Sequence, residues 1–336
     1  MTRREFLATG TAAMAAVGMG AAPAAQQKIW GMLLHFGTNM WSDIPVSSWG
    51  NCKTPEELST VCAADHLRMD EKVWRNVTGR MAEAKMNMVL IDVGEGIQLK
   101  SHPELAVKGS WPIERFREEL ARLRGMGLEV IPKLNFSTAH DIWLKDYSRQ
   151  ISTPLYYRVC ADVIKEVYEI FDKPRFFHLG YDEETAGHQS KYAYCVIRQG
   201  DLWWRDFLFF VQKVEDLGAR AWIWSDYYWH HPELFLQRMP KSVLQSNWYY
   251  GASFDASKVN YVKAYQALDK AGYDQVPCGS NWSCDTNFGG TVEFCTKNLS
   301  PKLLKGFLMA PWFFTSSASE QKLLQAVDQV AAAMKA

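Results

Sequence analysis

Asp182, Glu183 and Glu184 follow directly on the apolar run Phe176-Phe177-His178-Leu179-Gly180-Tyr181. A short apolar segment that closes on a small residue and then on carboxylates has the pattern of a buried parallel strand. Such a strand delivers acids to the open end of a sheet, where α/β folds keep their chemistry. On extended chain Asp182 and Glu183 point to opposite sides. Two neighbouring carboxylates in different surroundings divide acid–base work, one held ionised and the other protonated. A solvated strand end carries the same letters, so the rest of the chain has to decide.

Other short apolar runs end in equally reactive or flat side chains. His35 and Asn39 follow the first run, Asp92 and Glu95 the second, and Asn135 and His140 the third. Later runs end at Trp224 and Asp226, at Trp248 and Tyr249, at Asn281 and Trp282, and at Trp312. Trp faces beside carboxylates and amides suit a sugar ring, whose C–H faces stack while its hydroxyls seek donors and acceptors. His140, Trp224, Asp226, Trp248, Tyr249, Trp282 and Trp312 are therefore expected to line a carbohydrate site, with His178 steadying it from within the strand. A two-carboxylate glycosidase would pair Glu183 with Glu95 or Asp226. No His-x-His or His-Glu-x-x-His pair and no G-x-S-x-G elbow occurs, so neither a metal, a cofactor nor a Ser nucleophile is assigned.

These positions must be carried by something regular. Met32–Phe36, Met88–Val93, Leu128–Leu134, Arg175–Gly180, Ala219–Trp224, Val243–Trp248, Val276–Asn281 and Gly306–Trp312 read as eight buried strands. Amphipathic stretches separate most of them. Asp70 is placed to cap a helix through Trp74, Val77 and Met81, and Thr153-Pro154 to open one through Val159, Val163 and Val167. Eight β–α alternations without a linker predict an α/β fold, a single-domain (β/α)8 TIM barrel over residues 27–336. A doubly wound sheet would want a Gly-rich phosphate loop after the first strand, and none is present.

Several stretches resemble the family 20 glycoside hydrolases, the β-N-acetylhexosaminidases. Lys85-Met86-Asn87 precedes the second strand, Gly127-Leu128-Glu129-Val130-Ile131-Pro132 leads to Ala139-His140, and His178-Leu179-Gly180-Tyr181-Asp182-Glu183 stands where that family has His-x-Gly-Gly-Asp-Glu. The resemblance is strongest over residues 85–184. It implies a retaining exo-glycosidase in which the substrate's 2-acetamido oxygen attacks the anomeric carbon, an exception to the two-carboxylate rule. It further implies Glu183 as general acid and base with a raised pKa, and an ionised Asp182 orienting the acetamido group. Trp224, Trp248 and Trp312 would box the N-acetyl methyl, and Tyr249 or Tyr250 would donate to its oxygen. Departures are visible. Trp30-Gly31 stands where the family has a sugar-gripping Arg, Tyr181 replaces a Gly and puts a large ring beside the acids, and Phe313-Phe314 follows the last Trp. The other readings are a glycosidase of different specificity and a non-catalytic glycan-binding protein on a degenerate barrel.

The chain's beginning and its balance of charge narrow the setting. Arg3-Arg4 followed by an Ala- and Gly-rich apolar stretch and Ala22-Pro23-Ala24 is the pattern of a twin-arginine signal peptide over residues 1–25. It predicts a periplasmic or extracellular protein with no stable membrane insertion after cleavage. Lys plus Arg and Asp plus Glu number 37 each, which argues against a nucleic-acid partner. Seven Cys without a C-x-x-C pair suggest no structural zinc, and Cys52–Cys62 or Cys278–Cys284 are the spacings open to a disulfide. The oligomeric state is left unassigned.

Overall fold

The computed structural model describes residues 27–49, 54, 58, 61–190 and 192–336. The signal-peptide segment and Cys52 lie outside the described residues. Eight strands run in chain order: β1 (Ile29–His35), β2 (Met88–Asp92), β3 (Glu129–Lys133), β4 (Phe176–His178), β5 (Arg220–Trp224), β6 (Leu244–Ser246), β7 (Cys278–Gly279) and β8 (Gly306–Met309). All pairings are parallel, in the order β6-β5-β4-β3-β2-β1-β8-β7. Bridges at Gln245–Gln275 and Trp248–Cys278 join β6 to the segment that enters β7, so the sheet closes on itself. This is the expected (β/α)8 barrel.

Period-two alternation explains how the strands fill both sides of the wall. Leu33, Leu90, Ile131, Trp222, Leu244 and Leu308 pack inward as one apolar cluster. Their neighbours Leu34, Val89, Ile91, Val130 and Ile223 face outward into the larger layer under the helices. Towards the open end the interior changes character. His35, Asp92, Lys133 and His178 occupy successive strands in register, and all four are buried. Lys133 Nζ donates to Asp92 Oδ2 at 2.6 Å, and His35 Nδ1 lies 3.3 Å from the same oxygen. Burial alone would raise the Asp92 carboxyl, but the Lys133 ammonium and His35 outweigh it and hold Asp92 below its ordinary value. A closed interior tolerates this charge because it is paired.

The helices begin where local chemistry starts them: α1 (Glu71–Glu83), α2 (Ile113–Gly125), α3 (Pro154–Ile170), α4 (Ala186–Gln189), α5 (Gly200–Asp216), α6 (Tyr227–His230), α7 (Pro232–Arg238), α8 (Asn260–Lys270), α9 (Asn287–Asn298) and α10 (Glu320–Ala333). Asp70 caps α1 by accepting from the amides of Lys72 and Val73, and Thr153 caps α3 by accepting from Tyr156. The helix α9 between β7 and β8 was not expected. Its Gly289-Gly290 pair weakens helix propensity, and the sequence pattern there is correspondingly faint. No helix among the described residues is long and apolar enough to cross a membrane.

Candidate active site

The chain leaves β4 through a run of left-handed backbone. Gly180 has φ 71°, Tyr181 φ 72° and Glu183 φ 55°. Only Gly fits at 180, since a Cβ there would stand 2.1 Å from Asn135 Oδ1. That same Oδ1 accepts the amide protons of Ser137 (3.0 Å) and Tyr181 (3.2 Å). A left-handed Tyr is strained, of order 1–2 kcal/mol, and its ring offsets the strain by packing edge-on against Trp203, Phe207 and Phe210, with the Arg198 guanidinium 4.9 Å above it. The Tyr181 ring thus lies in the helical layer. The expectation that it stands beside the acids is corrected by the turn, which aims it outward.

The three successive acids are fastened to the segment after β3, to Asp226 after β5 and to Arg198. Asp182 Oδ1 accepts from Asn135 Nδ2 at 2.8 Å, and its carbonyl accepts from Ser137. The Glu183 amide donates to Asp226 Oδ2 at 2.9 Å, across the gap to the segment after β5. Glu184 Oε1 accepts from Arg198 (2.7 Å) and from the Thr138 amide (3.0 Å). Arg198 is fully buried and continues to Asp206 Oδ2 at 3.3 Å. These charge-assisted bonds fix the carboxylates of Asp182 and Glu184 and the backbone of Glu183.

Two imidazoles meet the Glu183 carboxylate. His140 Nε2 and His188 Nε2 each lie 3.2 Å from Glu183 Oε2, and His140 Nε2 is also 3.5 Å from Asp182 Oδ2. Burial would raise Glu183, but the two rings outweigh it and hold the carboxyl well below the usual range. Burial likewise works against a charged His140, yet the facing Asp182 and Glu183 lift it above the ordinary imidazole value. The carboxyl pushed upward is Asp226, to about 7, by its burial and by the charges of Asp182 and Glu183 opposite. The expected pattern is inverted: Glu183 is held ionised between imidazoles, and Asp226 is the carboxyl poised to hold a proton.

An aromatic wall completes the mouth. Trp224, almost wholly buried, lies 5.8 Å from Trp312 between ring centres, and Trp312 Nε1 donates to the Tyr250 hydroxyl at 2.8 Å. Tyr250 stacks on Trp248 at 5.0 Å, and Trp248 Nε1 donates to Asp226 Oδ1 at 3.3 Å. The wall is thus bonded to the acids through Asp226.

The sequence-based site residues divide accordingly. His140, Asp182, Glu183, Trp224, Asp226, Trp248 and Trp312 come together. His178 does not reach the surface. It is wholly buried, its ring lies tilted 4.4 Å from that of Trp224, and its Nδ1 accepts the Gly180 amide proton. Tyr249 turns away towards Phe254 and Tyr261, and Tyr250 takes the place in the wall. Trp282 stands on the exposed side, 37 % accessible. Glu95 is withdrawn from the acid set, because both its oxygens are bound by the amides of Thr38 (2.8 Å) and Asn39 (3.1 Å). Of the alternatives left open for the cysteines, Cys278 and Cys284 take the free-thiol one, and Cys62 is free as well. His188 and Arg198 were not anticipated, and Asn135, expected only as a strand-end amide, turns out to hold Asp182 and the turn at Gly180.

No family model and no curated protein sequence matches the chain. Solved structures do. A chitobiase of Flavobacterium johnsoniae superposes with a TM-score of 0.51 at 17 % identity, over 81 % of this chain and 50 % of its own. A Streptomyces plicatus N-acetyl-β-hexosaminidase, solved with thio-NAglucal, reaches 0.54 at 12 % identity, over 90 % and 64 %. Dispersin B reaches 0.52 at 12 %, over 79 % of this chain and 95 % of its own. The chain thus spans half of the chitobiase and less than two thirds of the Streptomyces enzyme. At these identities the likeness is one of fold, a (β/α)8 barrel shared with these glycoside hydrolases.

Proposed function

We propose that the chain is an exported glycoside hydrolase, a retaining exo-β-N-acetylhexosaminidase that works by substrate-assisted catalysis. The observation that carries this reading is the adjacency of Asp182 and Glu183 at the mouth, faced by the Trp224–Trp312–Tyr250–Trp248 wall. The solved hexosaminidase structures of like fold support it. In this reading Asp182, aimed by Asn135, receives the substrate's acetamido N–H and stabilises the positive charge that grows as the acetamido oxygen bonds to C1. His140 passes its Nε2 proton to Glu183, and Glu183 delivers it to the departing glycosidic oxygen as the C1–O bond breaks. Water then attacks C1 of the oxazolinium ion, and Glu183 takes the proton that water loses. Tyr250 and the Trp faces hold the acetamido methyl.

The test is a panel of p-nitrophenyl glycosides with wild type and Glu183→Gln. Turnover of the N-acetyl-β-glucosaminide or galactosaminide is expected, with a loss of roughly 10²–10⁴-fold in the variant. Turnover confined to 2-hydroxy sugars would sink the substrate-assisted mechanism. It would favour a second reading, in which Asp226 joins Glu183 as the other carboxylate, motivated by its raised proton affinity. Binding without turnover, unchanged in Glu183→Gln, would mark a glycan-binding protein. Export is tested separately: Arg3→Lys with Arg4→Lys is expected to retain the precursor inside the cell.

A further inference from the structure

We propose that His140, His188, Asp182 and Glu183 bind a divalent transition-metal ion of the zinc class, and that the ion, by occupying Glu183, switches hydrolysis off. The second half of this proposal rests on the hydrolase reading above; the binding itself does not.

The geometry is that of converging ligands. One atom each from His140, Asp182 and Glu183 lie within 4.8 Å of one another. The His140–Glu183 and His188–Glu183 separations are both 3.2 Å, and His140–Asp182 is 3.5 Å. A tetrahedral ion with bonds of about 2.0–2.1 Å holds its ligand atoms about 3.3–3.4 Å apart, so an ion fits among the His140, Asp182 and Glu183 atoms with little movement, and the exposed His188 ring, which meets Glu183 alone, swings in as the fourth ligand. His102 offers a contrast. Its two ring nitrogens face Glu104 and Asp162 on opposite sides, and no common point exists for an ion.

The donor set selects the class. Two imidazoles with two carboxylates suit zinc and its transition-metal neighbours, whereas magnesium and calcium prefer oxygen alone. Without an ion, one oxygen of Glu183 must satisfy two ring nitrogens at once, each at a distance long for a charged hydrogen bond. Outer contacts already aim three of the ligands. His188 Nδ1 lies 2.8 Å from Thr185 Oγ1, Asn135 holds the far oxygen of Asp182, and Asp226 holds the backbone of Glu183. His140 Nδ1 has no such partner, so affinity on the order of micromolar is expected, below that of a fully supported site. Entry is open from one side: the Glu183 and His188 side chains are 29 % and 39 % accessible, while His140 and Asp182 form the buried floor.

The experiment uses the full purified protein, stripped with chelator and dialysed. Zinc chloride binding is followed by calorimetry, and turnover of the N-acetyl-β-glucosaminide is followed against zinc and against magnesium. One zinc per chain is expected, with inhibition reversed by chelator and no effect of magnesium. His188→Ala and His140→Ala should each weaken zinc binding at least about tenfold, with thermal melts reporting that each variant is folded. His188 lies on the exposed side, so its variant remains informative if His140→Ala fails to fold. Cys195→Ser removes an exposed thiol and should bind zinc as wild type does. Absence of binding at millimolar zinc, or equal binding by wild type and His188→Ala, overturns the site. Zinc binding that depends on both His residues, with turnover unaffected or raised, overturns the off switch. Such binding with no glycoside turned over overturns the hydrolase reading and leaves the ion site standing.

Discussion

The backbone N–H of Glu183 donates to Asp226 Oδ2 across 2.9 Å, so the residue after β5 holds the acid after β4 by its main chain. Asp226 Oδ1 meanwhile receives Trp248 Nε1. One buried carboxyl therefore ties the reactive acid to the aromatic wall, and its protonation bears on both.

Asp226 has its folded-state proton affinity raised from 3.8 to about 7. The folded protein thus binds a proton that the unfolded chain has lost between those values. Stability from this group is fully present below pH 3.8 and is lost as pH rises through 7. Asp226→Asn removes the penalty. Its melting temperature relative to wild type is expected to rise from pH 5 to pH 8, by an amount reflecting a few kcal/mol at most. Calorimetric melts with chelator present measure this, and a difference independent of pH would contradict it.

Gly180→Ala sets a Cβ against Asn135 in a left-handed position. About 3 kcal/mol is expected to be lost, or roughly 4 to 5 °C in Tm for a barrel of this length. Turnover should fall further than stability explains at assay temperature, because Asn135 also aims Asp182. An unchanged melt would show that the loop has another way to turn.

Arg198→Met leaves Glu184 and Asp206 buried without their common partner. A loss of about 3–5 kcal/mol follows from breaking a buried ionic network at one member. Arg198→Lys should recover little, since one ammonium cannot span Glu184, Asp206 and the Phe136 carbonyl as the guanidinium fork does. Denaturant unfolding of the two variants checks both statements.

His178 is buried and held well below its ordinary value of 6.5 by desolvation, with Lys133 adding to the effect. Its stability contribution is present above pH 6.5 and is lost as pH falls below that value, because the unfolded chain then takes up a proton the folded protein refuses. His178→Asn keeps an acceptor for the Gly180 amide and removes the titration. The variant should show a shallower fall of Tm between pH 6.5 and 5. His35 is lowered in the same sense and remains, so the slope should not vanish.

The strands were legible because each is an apolar run bounded by breakers, and most of their ends fall within one to three residues of the expected ones. The choice between Tyr249 and Tyr250 was also legible. Leu244, Ser246, Trp248 and Tyr250 share one parity, and Leu244 faces the interior, so alternation alone selects Tyr250. Other features left no such trace. The left-handed run at Gly180, Tyr181 and Glu183 breaks the period of two, which is why the Tyr181 ring was expected on the wrong side. His188 lies on a four-residue helix whose spacing carries no amphipathic signal, and its meeting with His140 is a product of tertiary folding. Glu95 has the composition of a catalytic acid, and only its bonded amides reveal a structural role.

The barrel is laced unevenly around its girth. β1 and β2 share five registered pairs, whereas β6 meets the β7 segment through isolated bridges at Gln245–Gln275 and Trp248–Cys278. The aromatic wall rises from this slack seam, and the acids rise from β4 on the other side of β5. Trp248 is tied through Asp226 to the Glu183 backbone, so a shift of the wall at this seam is carried to the acids. A barrel laced in this way couples its loosest seam to its carboxylates, so the two move together.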